Sequence, residues 1–111
     1  MAHTSLTMSP HCDDEKKYAV LERIVEEYQA LAAAGGSILG RKITEVITVN
    51  GARVRLEDGS WVLVRASSNK PEIVVVVESA RSEDDMRALF REEVKPRLAK
   101  HPQVGAYNQE I

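Results

Sequence analysis

A short polar segment, Arg65-Ala66-Ser67-Ser68-Asn69-Lys70-Pro71, combines the residue types that bind an anion. Arginine presents a planar fork to two phosphate oxygens, lysine adds a mobile charge, and serine and asparagine donate further hydrogen bonds. No acidic residue occurs in the segment before Glu72. Small residues also let backbone N–H groups approach an anion. A loop of this composition can therefore hold a phosphate.

The same composition also fits a polar connection whose charges are simply solvated, because surface loops are usually polar. The residue types alone leave both interpretations open. Catalysis by Ser67 is not expected, since no histidine or aspartate stands near it to activate the hydroxyl. We therefore predict no catalytic residue in this chain.

Two other features could carry chemistry. The run His11-Cys12-Asp13-Asp14 contains metal-ligating residue types, but they are adjacent and lack a second spaced pair, so no metal site is expected. Trp61 stands in an apolar strand and is expected in the core rather than as a stacking platform.

The first element that would position the loop is a helix predicted from Asp13 to Ala34. Its apolar residues recur at spacings of three and four, which is typical of one buried stripe. Gly35-Gly36 ends the pattern. The predicted stripe consists of Tyr18, Leu21, Ile24, Val25, Tyr28, Leu31 and Ala32.

Four strands are predicted next, beginning with Arg41 to Val49. Asn50-Gly51 favours a type I′ hairpin turn into the alternating return strand, and Asp58-Gly59 favours a second turn into Trp61 to Arg65. The β-branched run Ile73 to Val77 predicts a well-buried fourth strand. These strands would form an antiparallel sheet with the 66–72 segment as a loop.

A capped helix follows from Ser82 to Leu98, with Pro96 expected to weaken its last turn. The predicted fold class is α+β, in two layers, with a four-stranded antiparallel sheet and two helices on one face. The domain is predicted over residues 13–101. Residues 1–12 are expected to be a flexible tail or a remnant of cloning, and residues 102–111 a loosely held tail.

The composition narrows the class of protein. A chain of 111 residues fits one domain, and 43% apolar with 29% charged residues predicts a folded, soluble one. The formal charge of −2 argues against a nucleic-acid partner. A single cysteine and the lack of a signal peptide or long apolar run favour a cytoplasmic protein with no membrane partner.

The turns, the strands and the polar loop together resemble a known protein family. The stretches 50–55 and 58–71, followed by a strand ending Val77-Glu78-Ser79, resemble the C-terminal domain of the α-D-phosphohexomutases, which include phosphomannomutase/phosphoglucomutase. The resemblance covers roughly residues 42–98. It implies that Arg65 anchors the substrate phosphate, that Ser67, Ser68 and Asn69 donate secondary hydrogen bonds, and that Lys70 adds charge at the rim. Asn69 replaces the usual threonine, and Val74 stands where many relatives carry arginine.

The resemblance also implies a TATA-binding-protein-like fold and a four-domain, monomeric parent enzyme that interconverts hexose 1-phosphate and 6-phosphate. Its partners would be the phosphosugar and the other domains. A phosphoserine loop, an Asp-rich Mg²⁺ site and a sugar-recognition loop would lie in those domains, so this domain would hold no cofactor and be inactive alone. The preference for mannose or glucose stays open. The alternative is a stand-alone RNA- or protein-binding module that uses the Arg53 and Arg55 sheet face, or a purely structural domain.

Overall fold

A computed structural model of the chain describes residues 2–111. Over those residues one antiparallel sheet has the strand order β1-β6-β5-β4-β3-β2. The strands are β1 (His3–Thr4), β2 (Ser37–Ile38), β3 (Arg41–Ile47), β4 (Gly51–Leu56), β5 (Trp61–Ala66) and β6 (Ile73–Ser79). The helices are α1 (Asp14–Ala33), α2 (Glu83–Ala88) and α3 (Lys95–Ala99).

The α+β class and the antiparallel sheet are confirmed, but the strand number is wrong: the described residues form six strands rather than four. The two additional strands, β1 and β2, are two residues long and lie at the sheet edges. Two residues cannot show a period-two alternation, so the sequence pattern does not reveal them. The turn between β2 and β3 also escapes prediction because Leu39, with φ of 48°, takes the left-handed conformation that asparagine usually takes.

The helix α1 packs on the sheet as predicted, with one exception. Leu21, Ile24 and Tyr28 are buried in the core. Tyr18, however, is 60% exposed, and Lys17, only 2% exposed, is buried in its place. The stripe therefore begins at a lysine, one residue earlier than the apolar pattern suggests, since position 17 lies one turn before Leu21 on the same face.

The two hairpin turns that frame the central strands form where glycine was expected. Asn50 and Gly51 have positive φ values, of 60° and 145°, but the turn is longer than the predicted type I′ turn, because β3 ends at Ile47, which pairs with Arg53, and Gly51 already belongs to β4. At the second turn only Gly59 has a positive φ, of 93°, and its N–H donates to the carbonyl of Leu56. Alternate residues of β4 and β5 are buried and pack beneath α1; they are Ala52, Val54, Leu56, Val62 and Val64.

The C-terminal helical region is capped as predicted, because the Ser82 hydroxyl accepts a hydrogen bond from the Asp85 N–H at 3.0 Å. Between α2 and α3, residues Leu89–Val94 form a π-helical segment. Pro96, which stands at the start of α3, lacks an N–H and would clash with a carbonyl one turn earlier. The wider turn ahead of it accommodates this proline within a continuous right-handed backbone.

The two terminal segments differ from the expected loose tails. Within residues 2–12, Met8 and Cys12 are fully buried, and Met8 exchanges backbone hydrogen bonds with Val75 of β6 at 2.9 and 2.7 Å. The C-terminal segment pairs with the N-terminal one through two backbone hydrogen bonds. The His11 N–H donates to the Ala106 carbonyl, and the Gly105 N–H donates to the His11 carbonyl. Edge pairing to β6 depends on backbone groups, which a search for apolar periodicity does not detect.

A buried ion cluster closes the sheet end at which β3 begins. The Arg41 side chain, 3% exposed, binds Asp85 through both terminal nitrogens at 2.8 and 2.9 Å and Asp58 at 3.0 Å. Burial alone would raise the pKa of Asp58, but hydrogen bonds from Ser60 and Arg41 lower that pKa to about 2. We call Arg41, Asp58 and Asp85 the Arg41 cluster. It joins β3, the β4–β5 turn and α2.

Candidate functional site

The predicted anion-binding loop leaves the opposite end of the sheet, between β5 and β6. Its backbone is held at several points. The Ser67 N–H donates to the Glu72 carbonyl at 3.0 Å, and the Glu72 N–H donates to the Lys70 carbonyl at 2.8 Å. The Cys12 N–H, from the N-terminal segment, donates to the Pro71 carbonyl at 2.8 Å. The loop therefore has a defined conformation before any ligand arrives, which lowers the entropy cost of binding.

Arg65 stands on β5, just before the loop, and pairs with Gly51 of β4. A Cβ atom at Gly51 would lie 2.2 Å from the Val64 carbonyl oxygen and 2.7 Å from the Arg65 Cα. Glycine is thus required for the two strands to approach at this point. The Arg65 side chain is exposed, and within residues 2–111 it forms no salt bridge. Its guanidinium is open to an external anion.

The other predicted site residues divide into exposed and buried ones. Ser68, Asn69 and Lys70 are exposed, and no carboxylate of the described chain pairs with the Lys70 ammonium. Ser67 is only 6% exposed, and its hydroxyl lies 3.3 Å from the Asn69 side-chain oxygen. Ser67 is therefore placed to support the loop from within, while the other three present their donors outward.

A cavity of about 680 Å³ adjoins this loop. Arg65 and Ser68 form part of its wall, whereas Ser67, Asn69 and Lys70 lie outside it. The facing walls come from α1 and the β3–β4 turn and include Tyr18, Glu22, Val49 and Asn50. This volume is in the range of small-molecule sites.

Sequence reasoning missed this wall of the cavity. Tyr18 has core spacing in the helical pattern, and the strand pattern assigned Val49 to β3, yet both side chains are well exposed, at 60% and 77%. The sequence predicts a turn at Asn50-Gly51 and gives no sign that the turn lines a cavity. The signal that could have found the wall is the position of this turn: antiparallel pairing places it beside the end of β5, where the loop begins.

Comparison with known family models identifies the family of the chain. The family model described as phosphoglucomutase/phosphomannomutase, C-terminal domain, matches residues 11–95. The chain belongs to this family. The match includes all the strands from β2 to β6, the loop and Arg65. The resemblance to the phosphohexomutases that the loop motif predicts is thereby confirmed.

Curated relatives of the family carry mutase names. The chain is 41% identical over 68 residues to a phosphopentomutase of Thermococcus kodakarensis, covering 61% of this chain and 14% of the relative. It is 37% identical over 84 residues to a phosphoglucosamine mutase of Methanocaldococcus jannaschii, covering 76% and 16%. A probable phosphoglucosamine mutase of Methanopyrus kandleri is 41% identical over 78 residues, covering 70% and 14%. The chain thus spans about one seventh of the length of these relatives.

The remaining chemical candidates are placed elsewhere. His11 lies 3.0 Å from Asp13, while Cys12 is buried beneath them, so these residue types do not converge on a common point. Burial raises the pKa of the Cys12 thiol. Within residues 2–111 no group of three or more His, Cys, Asp or Glu side chains is arranged to hold a metal ion. The described helices also include none that is long and apolar enough to cross a bilayer.

The Arg53 and Arg55 sheet face is already occupied by internal contacts. The Arg53 guanidinium lies 4.6 Å from the centre of the Trp61 ring. The indole N–H of Trp61 donates to the Glu78 carboxylate at 2.9 Å. Arg55 stands 3.8 Å from Glu45. Trp61 is therefore half-buried beneath an arginine on the outer face rather than in the core between sheet and helices. Neither arginine is as open to an added anion as Arg65.

Proposed function

We propose that this chain is the substrate-phosphate-binding C-terminal domain of a phosphosugar mutase and that it is not catalytic alone. The observation that carries the proposal is Arg65, whose guanidinium has no carboxylate partner among residues 2–111 and lies at the edge of a fixed loop, in the wall of a cavity. Membership of the phosphoglucomutase/phosphomannomutase family supports a phosphosugar as the ligand. Arg65 would bind two phosphate oxygens, with Ser68, Asn69 and Lys70 adding donors.

The substrate proposed from the residues is a hexose 1-phosphate, 6-phosphate or bisphosphate. The names of the relatives widen the class, since one acts on a pentose and others on glucosamine phosphates. In the reaction we propose, the sugar reorients and presents either phosphate to the same loop. An anchor that recognises the phosphate, and no particular sugar face, suits such a reaction.

The rest of the machinery is proposed to lie in other domains of a monomeric, cytoplasmic parent enzyme. Phosphoryl transfer needs an in-line donor and neutralisation of the developing charge, and this loop supplies positioning only. The Mg²⁺ that the family resemblance implies does not fit the described residues, because no acidic cluster is arranged to hold it. The TATA-binding-protein-like relationship of the fold is part of the same proposal.

Titration with glucose 1-phosphate, followed by amide chemical shifts, tests the proposal on this chain. We expect shifts between Arg65 and Glu72 with roughly millimolar affinity, because one wall of a site in open solvent gains little from excluding water. Added salt should reverse them, and the shifts should be larger near pH 7.5 than near pH 5 because the second phosphate pKa is about 6. Glucose is the uncharged control. Shifts confined to the Arg53 and Arg55 face would favour the RNA- or protein-binding alternative.

A further inference from the structure

Lys17 is a buried lysine whose ammonium contacts the phosphate loop. Its side chain is 3% exposed, although lysine is among the residues least often buried. The Nζ atom donates to the backbone carbonyl oxygen of Lys70 at 2.8 Å and to the Asp14 carboxylate at 2.7 Å. The first bond crosses from α1 to the loop over 53 positions of sequence. It is a charge-assisted bond, stronger than one between neutral groups.

The carbonyl that Lys17 engages belongs to a peptide with few other means of support. The residue after Lys70 is Pro71, so the Lys70–Pro71 peptide has no N–H and can be oriented by hydrogen bonds only through its carbonyl. That oxygen accepts bonds from Lys17 and from the Glu72 N–H. The Glu72 bond is local to the loop, whereas the Lys17 bond ties the loop to a packed helix.

An unsupported carbonyl would also harm anion binding. A carbonyl oxygen that turned toward a phosphate would repel it, and a loop that sampled several conformations would have to be ordered on binding. Lys17 opposes both effects. The conformational entropy of the buried Lys17 side chain is already lost when the chain folds. An exposed lysine such as Lys70 would lose that entropy only when the ligand binds.

We infer that Lys17 is a positioning residue for phosphate binding: it fixes the Lys70 carbonyl against α1 and so holds the loop in its ligand-ready conformation. The inference rests on the proposed function of the loop. Lys17 acts through the backbone, because its ammonium is enclosed by protein and is not a wall of the cavity.

The test compares two lysines that are neighbours in sequence and opposite in environment. Lys17→Met removes the buried ammonium, and Lys16→Met removes an exposed one, so each variant loses one positive charge. We expect Lys17→Met to weaken binding of glucose 1-phosphate five- to twentyfold and to speed hydrogen exchange at the Ser67 and Glu72 amides. Lys16→Met should change the affinity less than twofold. Lys17→Arg, which keeps a charged donor, should recover part of the loss.

Equal affinities for Lys17→Met and Lys16→Met, with a folded spectrum for both, would overturn the inference while leaving the proposed function intact. The absence of any loop shift in the unmodified chain would instead overturn the proposed function. If Lys17→Met does not fold, the side-chain ammonium signal of the unmodified chain decides. We expect slow proton exchange at the Lys17 ammonium and a change in its shift as glucose 1-phosphate is added. A signal that exchanges rapidly and does not move contradicts the inference.

Discussion

The two ends of the sheet use arginine in opposite ways. At the end where β3 begins, Arg41 is buried; both of its terminal nitrogens bind Asp85, and one of them also binds Asp58. At the other end, Arg65 is exposed and has no carboxylate partner within residues 2–111. The first arginine is committed to the fold, and the second is available to a ligand. Residue type alone does not separate the two roles; the distance to the nearest carboxylate does.

The comparison is tested most severely by removing each arginine in turn. Arg41→Met leaves Asp58 and Asp85 partly buried without their shared cation, so we expect the free energy of unfolding to fall by about 3–5 kcal/mol. Arg65→Met removes no hydrogen bond or salt bridge that the guanidinium makes within residues 2–111, so the free energy of unfolding should change by less than about 0.5 kcal/mol. Urea titration measures both values. Similar losses for the two variants would mean that Arg65 also belongs to the structural framework.

How far the sequence predicts this contrast depends on the element. The long strands follow from alternation, and the reversal of the chain near Asn50-Gly51 follows from turn chemistry even though the turn is longer than type I′, so the loop and Arg65 could be located without a structure. The six-strand sheet could not, because β1 and β2 are too short to carry a pattern. The packing of the N-terminal segment could not be predicted either, because it depends on backbone hydrogen bonds to β6, which produce no periodic pattern of apolar side chains.

Within the site, the sequence identifies residue types but not their exposure. It groups Ser67 with Ser68, yet the first is buried and the second lies in the cavity wall. It places Tyr18 in the core and gives Lys17 no role, because a helical wheel assigns polar residues to solvent. In the structure Tyr18 is exposed and Lys17 is buried, because α1 meets the loop where the Lys17 ammonium donates to the Lys70 carbonyl. Long-range contacts of this kind are not encoded in any local pattern.

Acid should lower the free energy of unfolding in a defined pH window by protonating the Arg41 cluster. In the folded chain, burial raises the pKa of Asp58, but Ser60 and Arg41 more than offset it and lower the pKa from 3.8 to about 2. Stability from a lowered carboxyl pKa is fully present above the unfolded value and is lost as the pH falls through the folded value. We therefore expect roughly 2 kcal/mol of unfolding free energy to be lost between about pH 4 and pH 2.

The control for this prediction is Asp58→Asn, which cannot titrate. Its unfolding free energy should vary less with pH over the same window, as measured by urea titration at successive pH values. The remaining slope would come from other carboxyls with lowered pKa values, such as Asp85. Parallel pH profiles for the two proteins would contradict a structural charge at Asp58.

The proposed role of Arg65 as the phosphate anchor is tested by the affinity of this chain for glucose 1-phosphate after Arg65→Ala and, separately, after Lys70→Ala. The guanidinium can bind two phosphate oxygens at once, whereas an ammonium is a flexible point charge, so losing the guanidinium costs about 1.5–3 kcal/mol. We predict at least tenfold weaker binding for Arg65→Ala, about two- to fourfold for Lys70→Ala, and incomplete recovery for Arg65→Lys. Small and equal effects of the two alanine substitutions would contradict the anchor role.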